Sequence, residues 1–172
     1  MTNDFKQWIR DIKDFPKEGI IFRDITTLLS RGQNFKDIID VFATRYAQSA
    51  IDKVVAIDAR GFIFGGAIAY KLGAGFVPVR KKGKLPYKTV SVQYELEYGT
   101  DTLCIHEDGL KANERVLIVD DLLATGGTAK AVCDLVNTLN AKIVELAFAI
   151  ELSDLCGRQK LQGYKVFSQI IY

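Results

Sequence analysis

A chain of 172 residues, 48% of them hydrophobic, is long enough for one compact domain with a sizeable core. Its 23 Lys and Arg against 21 Asp and Glu leave a net charge of +2, too small for the basic footprint of a nucleic-acid-binding surface. No signal-peptide pattern, lipidation motif or long apolar run is present, so a soluble cytoplasmic protein with no membrane partner is expected. Taken in order, Phe5, Trp8, Ile9 and Ile12 recur on one face of a predicted short helix. A turn at Phe15 to Gly19 leads into an extended run, Ile20 to Phe22, and then Arg23-Asp24, which alone reads as a surface ion pair. Phe35, Ile38, Ile39, Phe42 and Tyr46 predict an amphipathic helix that serves packing.

Val54 to Ile57 is a buried strand ending in Asp58-Ala59-Arg60-Gly61, with an apolar helix from near Phe62. A strand that passes through a short loop into a helix N-terminus is where open α/β sheets bind anions, and Arg60 offers a bidentate guanidinium there. An arginine in a loop is also commonly just a solvated charge. Gly75 to Val79 is a third strand, running into Arg80-Lys81-Lys82-Gly83-Lys84, which is either a solvated face or an anion patch. Thr89 to Tyr94 and Leu103 to Ile105 read as paired strands joined by Glu95 to Gly99. His106, the single histidine, has no partner at metal or catalytic-triad spacing and is expected to be structural or exposed.

The densest signal is Arg115 to Leu139. Val116 to Val119 is an unbroken β-branched and leucine run, the pattern of a strand buried on both faces in a parallel sheet, and Asp120 and Asp121 end it. Thr128 is the expected N-cap of a helix whose Val132, Leu135, Val136 and Leu139 share one face. The loop between, with Ala124, Thr125, Gly126, Gly127 and Thr128, enters a helix N-terminus with free N–H groups and hydroxyls, which makes a phosphate cradle. Gly-Gly-Thr alone could be an ordinary turn. Two carboxylates just before it favour a ligand with hydroxyls or a divalent cation near its phosphate, as a sugar phosphate has. Neither the lysine-containing P-loop nor the Gly-x-Gly-x-x-Gly dinucleotide motif occurs. The cysteines, Cys104, Cys133 and Cys156, lack CxxC spacing and an even count, which suits reduced thiols, and Cys133 reads as helix core. A final strand at Ile143 to Ile150 and an edge strand within Gly157 to Tyr172 complete the pattern.

Val116 to Thr128 closely resembles the phosphoribosyl pyrophosphate (PRPP) signature of type I phosphoribosyltransferases, and Asp-Asp-Leu-Leu-Ala-Thr-Gly-Gly-Thr is similar to its adenine phosphoribosyltransferase wording. The phrases DFPKEGIIFRDITTLL and VPVRKKGKLP match the same family. The resemblance implies an α/β fold of the type I phosphoribosyltransferase kind: a parallel sheet of about five strands with helices on both faces and a small N-terminal hood. Residues 1–172 would form a single domain, with 1–30 largely hood and 87–103 a flexible active-site loop with its flanking strands. It further implies that Ala124, Thr125, Gly126, Gly127 and Thr128 hold the 5-phosphate and that Asp120 and Asp121 hold the ribose hydroxyls. Asp58, Ala59, Arg60, Arg80, Lys84 and Tyr98 would lie at the pyrophosphate, with the Asp58–Ala59 bond cis. Ile21, Phe22, Arg23 and Leu152 would meet adenine.

The catalytic set on this resemblance is Arg60, Asp120, Asp121 and Glu97, the last handling the adenine N7 or N9 proton from a loop that excludes water on closing. The reaction is then PRPP plus adenine to AMP plus pyrophosphate, in purine salvage. Mg2+ would be held mainly by substrate and water, with no protein metal site, and a homodimer is implied. Three alternatives stay open: another purine base, a PRPP-sensing regulator of the same fold, and, from the acidic pair alone, a phospho-accepting receiver domain. The last needs a separate acceptor aspartate and a later lysine, which cannot be placed.

Overall fold

The computed structural model describes residues 4–95 and 99–172, which fall into two compact units, Met1–Phe42 and Ala43–Tyr172. In the first, a 3-10 helix, Phe5–Trp8, gives way to a hairpin of β1 (Arg10–Lys13) and β2 (Ile21–Asp24). The expected helix therefore stops at Trp8, and Ile12 lies on a strand opposite Phe22. A connection with a cis Phe15–Pro16 bond closes the hairpin, Phe15 N donating to Ile20 O at 3.3 Å and Gly19 N to Asp14 Oδ1 at 2.8 Å. Arg23 and Asp24 do not pair with each other, because neighbours on a strand point to opposite faces. Arg23 reaches Asp11 and Asp24 takes Arg10, both across the hairpin. A short helix α1 (Thr26–Leu29) follows, and α2 (Gly32–Tyr46) buries Ile38, Ile39, Phe42 and Tyr46 on one face, as the periodicity predicts.

The second unit is a seven-stranded sheet. Its strands are β3 (Lys53–Ile57), β4 (Gly75–Lys81), β5 (Thr89–Glu95), β6 (Thr100–His106), β7 (Arg115–Leu123), β8 (Lys142–Glu151) and β9 (Val166–Ile171), in the order β5-β6-β4-β3-β7-β8-β9. The run from β4 through β3, β7 and β8 to β9 is parallel, and β6 and β5 add an antiparallel edge pair. The central parallel strands β3 and β7 carry the β-branched runs, and those runs are buried on both faces as a doubly covered sheet demands. Helix α3 (Arg60–Leu72) covers one face so closely that a Cβ on Gly65 would lie 2.4 Å from the Ala56 Cβ. Helix α4 (Gly127–Thr138) covers the other, its Val132, Leu135 and Val136 joining Val55, Ile57, Val116, Ile118 and Phe148 in the core. Cys133 fills this core, and its burial pushes the thiol up to about 12.

The chain leaves β3 through α3 toward β4 and leaves β7 through α4 toward β8, so strand order reverses between β3 and β7. That switch point is where sheets of this kind form a ligand crevice at their C-terminal ends. Pairing of β3 with β7 ends at Ala56 and Val119, yet β7 stays paired with β8 as far as Leu123 and Glu151. Asp120 and Asp121 thus lie inside a longer strand than its apolar run suggests, bonded on one side and open toward the switch point on the other. Among the described residues no helix is long and apolar enough to cross a membrane.

Candidate active site

Three segments converge at these strand ends. The first is Asp58-Ala59, joined by a cis peptide bond as the resemblance implied, with Arg60 opening α3. The second is the acidic pair on β7. Arg60 Nε stands 2.7 Å from Asp121 Oδ2, while Asp120 Oδ1 accepts the amide of Asp121 at 2.9 Å. Gly61 makes this possible: a Cβ there would lie 2.7 Å from Asp120 Oδ1 and 3.2 Å from the carbonyl of Val119. Burial, with the charge of Asp121 beside it, pushes the Asp120 carboxyl well above its ordinary range. Burial also raises Asp121, and the Arg60 guanidinium works against that rise. The pair is therefore poised to gain from any cation or hydroxyl donor that enters the crevice.

The third segment is the loop after β7. A pocket of about 90 Å³ is lined by Asp120 and by Leu122 to Ala129, and its floor is the start of α4. Thr128 is not the N-cap. That position belongs to Gly126, at φ 80°, and helix bonding begins at Gly127. A left-handed glycine lets the chain turn into α4 two residues earlier than a cap at Thr128 would, so Thr128 lies in the first helical turn. Its N–H belongs to the free set at the positive end of the helix.

The basic run divides. Arg80 Nε binds Asp58 Oδ2 at 2.9 Å and its Nη1 donates to the carbonyl of Lys84 at 2.9 Å, whereas Lys81 is tied to Asp101 at 2.7 Å on β6. Arg80 is thus tied to Asp58, two residues before Arg60 in the same loop, and the Lys84 side chain is exposed. Leu152 directly follows β8, its amide donating to Leu123 O at 3.0 Å. Ile21, Phe22 and Arg23 lie on β2 in the N-terminal unit, Ile21 exposed and Phe22 packed edge-on against Phe15. Glu97 and Tyr98 lie outside the described residues. His106 is half-buried beside Tyr87, in line with a structural role.

The sequence reading missed a group on the far side of the loop. Gly157 touches Gly126, Arg158 forks onto Glu151, and Lys160 Nζ comes within 4.0 Å of where a Gly127 Cβ would be. No local pattern marks them, because Gly157 and Lys160 meet a loop about 30 residues earlier in the chain and the Arg158–Glu151 pair forms across a turn with no motif of its own.

Residues 25–171 match the model of the phosphoribosyl transferase domain family. An adenine phosphoribosyltransferase of Solidesulfovibrio magneticus is 60% identical over 161 residues, 94% of each chain. Among solved structures, adenine phosphoribosyltransferase from Thermoanaerobacter pseudethanolicus superposes with a TM-score of 0.96 at 49% identity, covering 100% of both chains. The Saccharomyces cerevisiae enzyme, complexed with an imino-altritol bisphosphate and adenine, gives 0.93 at 39% identity over 98% of this chain and 97% of that one. With an acidic pair and a glycine-threonine loop at the switch point of a type I phosphoribosyltransferase sheet, this chain belongs to the phosphoribosyl transferase family, in its adenine phosphoribosyltransferase branch.

Proposed function

We infer that the protein transfers the 5-phosphoribosyl group of PRPP to adenine, giving AMP and pyrophosphate. The observation that carries the reading is a juxtaposition: Asp120 lines the same pocket as Ala124 to Thr128, and Asp121 beside it is in contact with Arg60. A phosphate at the start of α4 is held by backbone N–H groups and the helix dipole. From there the ribose reaches back toward the two carboxylates, which accept hydrogen bonds from its hydroxyls. The bond between the sugar C1 and the pyrophosphate oxygen breaks, its electron pair leaving with pyrophosphate. As C1 becomes cation-like, the carboxylates stabilise it, and Arg60, Arg80 and Lys84 stabilise the departing charge. The lone pair of adenine N9 forms the new C1–N9 bond, and the base's proton passes to Glu97 on this reading. The choice of adenine is supported by the relatives and by the phrase from Asp14 to Leu29.

Magnesium fits the donors present. Asp120 and Asp121 offer the hard oxygens it prefers, and among the described residues no group of three potential metal ligands forms a protein cage. The two aspartates would meet the ion through water and substrate oxygens, and when bound it supplies charge neutralisation to the pyrophosphate. A homodimer in solution is supported by Ile63 and Tyr70 on α3 and Phe76 on β4, large apolar side chains left exposed. Free thiols at Cys104, Cys133 and Cys156 support a cytoplasmic location.

The test is steady-state pyrophosphate release with PRPP and magnesium, offering adenine, guanine, hypoxanthine and xanthine separately. Release with adenine alone is expected. Release with another base instead would reassign the acceptor, and PRPP binding without release would replace the enzyme by a PRPP-sensing regulator.

A further inference from the structure

The phosphate loop is shaped by a segment that comes to it from the C-terminal end of the chain. Gly126 enters α4 in the left-handed region, and a Cβ on it would lie 2.4 Å from the carbonyl oxygen of Gly157. The fit is reciprocal, because a Cβ on Gly157 would lie 2.2 Å from the carbonyl oxygen of Ala124 and 3.1 Å from the amide nitrogen of Gly126. Gly157 itself is not left-handed, so it is there for close approach and not for conformational freedom. Two stretches of backbone are in van der Waals contact, with no side chain between them.

What holds Gly157 in place is the next residue. Arg158 places Nε 2.7 Å from Glu151 Oε1 and Nη2 2.7 Å from Oε2, while Nη1 donates to Val166 O at 2.9 Å and Nη2 reaches Ser168 Oγ at 3.4 Å. Glu151 is buried at the end of β8, in register with Leu123 on one side and Ile171 on the other. A closed circuit results: Leu123 leads into the loop, the loop rests on Gly157, Gly157 is followed by Arg158, and Arg158 is clamped to Glu151, which pairs with Leu123. A bidentate arginine–carboxylate pair whose carboxylate is buried is geometrically rigid, unlike an exposed pair.

We propose that the Glu151–Arg158 pair, acting through Gly157, positions the 5-phosphate loop: it seats the Gly157 backbone against Ala124 and Gly126 and so sets the direction of the N–H groups that begin α4. Arg158 and Glu151 are positioning residues and touch no substrate. The inference rests on the reading that this loop binds the 5-phosphate of PRPP. Displacing the loop by about an ångström would misplace the ribose relative to the acidic pair, an error that can cost up to about 100-fold in rate.

The experiment compares wild type, Gly157→Ala and Arg158→Lys in three ways: KM for PRPP and for adenine, ribose 5-phosphate binding by calorimetry, and thermal unfolding. Gly157→Ala should raise KM for PRPP and weaken ribose 5-phosphate binding by about tenfold or more, with KM for adenine within about twofold. Arg158→Lys keeps the charge but loses the fork, and should weaken both by about three- to tenfold in the same selective way. A purely structural role would lower the unfolding temperature and leave the PRPP and adenine constants of the folded enzyme unchanged, which would overturn the proposal. If Gly157→Ala does not fold, Arg158→Lys decides. Wild type that neither turns over nor binds ribose 5-phosphate would remove the functional reading and this inference together. Wild type that binds, with both variants binding equally well, would remove this inference alone.

Discussion

Arg60 at the start of α3 and Asp121 on β7 stand 2.7 Å apart, an arginine from the proposed pyrophosphate side of the crevice in contact with a carboxylate from its proposed ribose side. The contact joins the two halves of the proposed PRPP site before any substrate arrives. Arg60→Ala should lower the rate of pyrophosphate release by about 100-fold or more, the scale for losing one charge-stabilising donor. Arg60→Lys should restore only part of it, since an ammonium cannot reproduce the guanidinium's planar fork. The pH profile gives a second readout. The Arg60 charge works against the rise that burial imposes on Asp121, so its removal should raise that carboxyl further. The acid limb of the rate profile should then move to higher pH, because the ionised form is the one that functions.

Gly61 separates the same two segments by the least possible amount. A Cβ would need the space held by Asp120 Oδ1, at 2.7 Å, and the carbonyl of Val119, at 3.2 Å, and the second of these is backbone and cannot turn aside. Gly61→Ala is therefore expected to cost about 1–3 kcal/mol of stability, the range for overpacking a tight interior. Because the yielding partner is Asp120, kcat should fall by more than tenfold, as expected for a misplaced catalytic group. Denaturant unfolding and steady-state kinetics on the one variant measure both effects.

The elements legible in the sequence are those whose cause is local. Val54 to Ile57 and Val116 to Val119 are strands because apolar, largely β-branched runs buried on both faces have few alternatives, Ile143 to Ile150 follows as another largely apolar run of strand length, and the loop after β7 shows because Gly-Gly-Thr stands directly between an acidic strand end and an amphipathic helix. What was not legible depends on pairing between distant segments. Ile12 has the spacing of a helix with Phe5, Trp8 and Ile9, but Phe22 draws it into a strand. Asp120 and Asp121 read as the end of β7 because their polarity breaks the apolar run, while β8 keeps them extended. The Glu151–Arg158 clamp leaves no pattern at all, since neither residue implies the other until the chain has folded.

Lys160 offers a test of the electrostatics around the proposed phosphate loop. Its ammonium lies near the first residue of α4, on the 3-10 segment that begins at Gly157. A positive charge beside a helix N-terminus adds to the dipole's attraction for an anion. Lys160→Gln should raise KM for PRPP by about three- to tenfold with little change in kcat, and the salt dependence of PRPP binding should weaken, as a screened interaction requires. An unchanged KM at low ionic strength would show that the backbone N–H groups suffice.

Acid stability should depend on Asp24 in the N-terminal unit. Its carboxylate accepts the Thr26 hydroxyl at 2.6 Å and the Thr26 amide at 2.9 Å on Oδ1, and Arg10 binds Oδ2 at 2.6 Å. The Thr26 hydroxyl first, then Arg10 and the Thr26 amide, hold the carboxyl at about 2, below its ordinary 3.8. A carboxylate depressed in the folded state stabilises it above the unfolded pKa, and that contribution is lost as pH falls from about 4 toward about 2. Arg10 is largely exposed, so part of its effect is screened, and the contribution near neutral pH is about 1–2 kcal/mol. Asp24→Asn should therefore be less stable than wild type at pH 7 by about that amount, and the gap should close as both are taken toward pH 2. Urea unfolding at several pH values measures it. A gap that stayed constant down to pH 2 would assign the effect to lost packing and not to the charge.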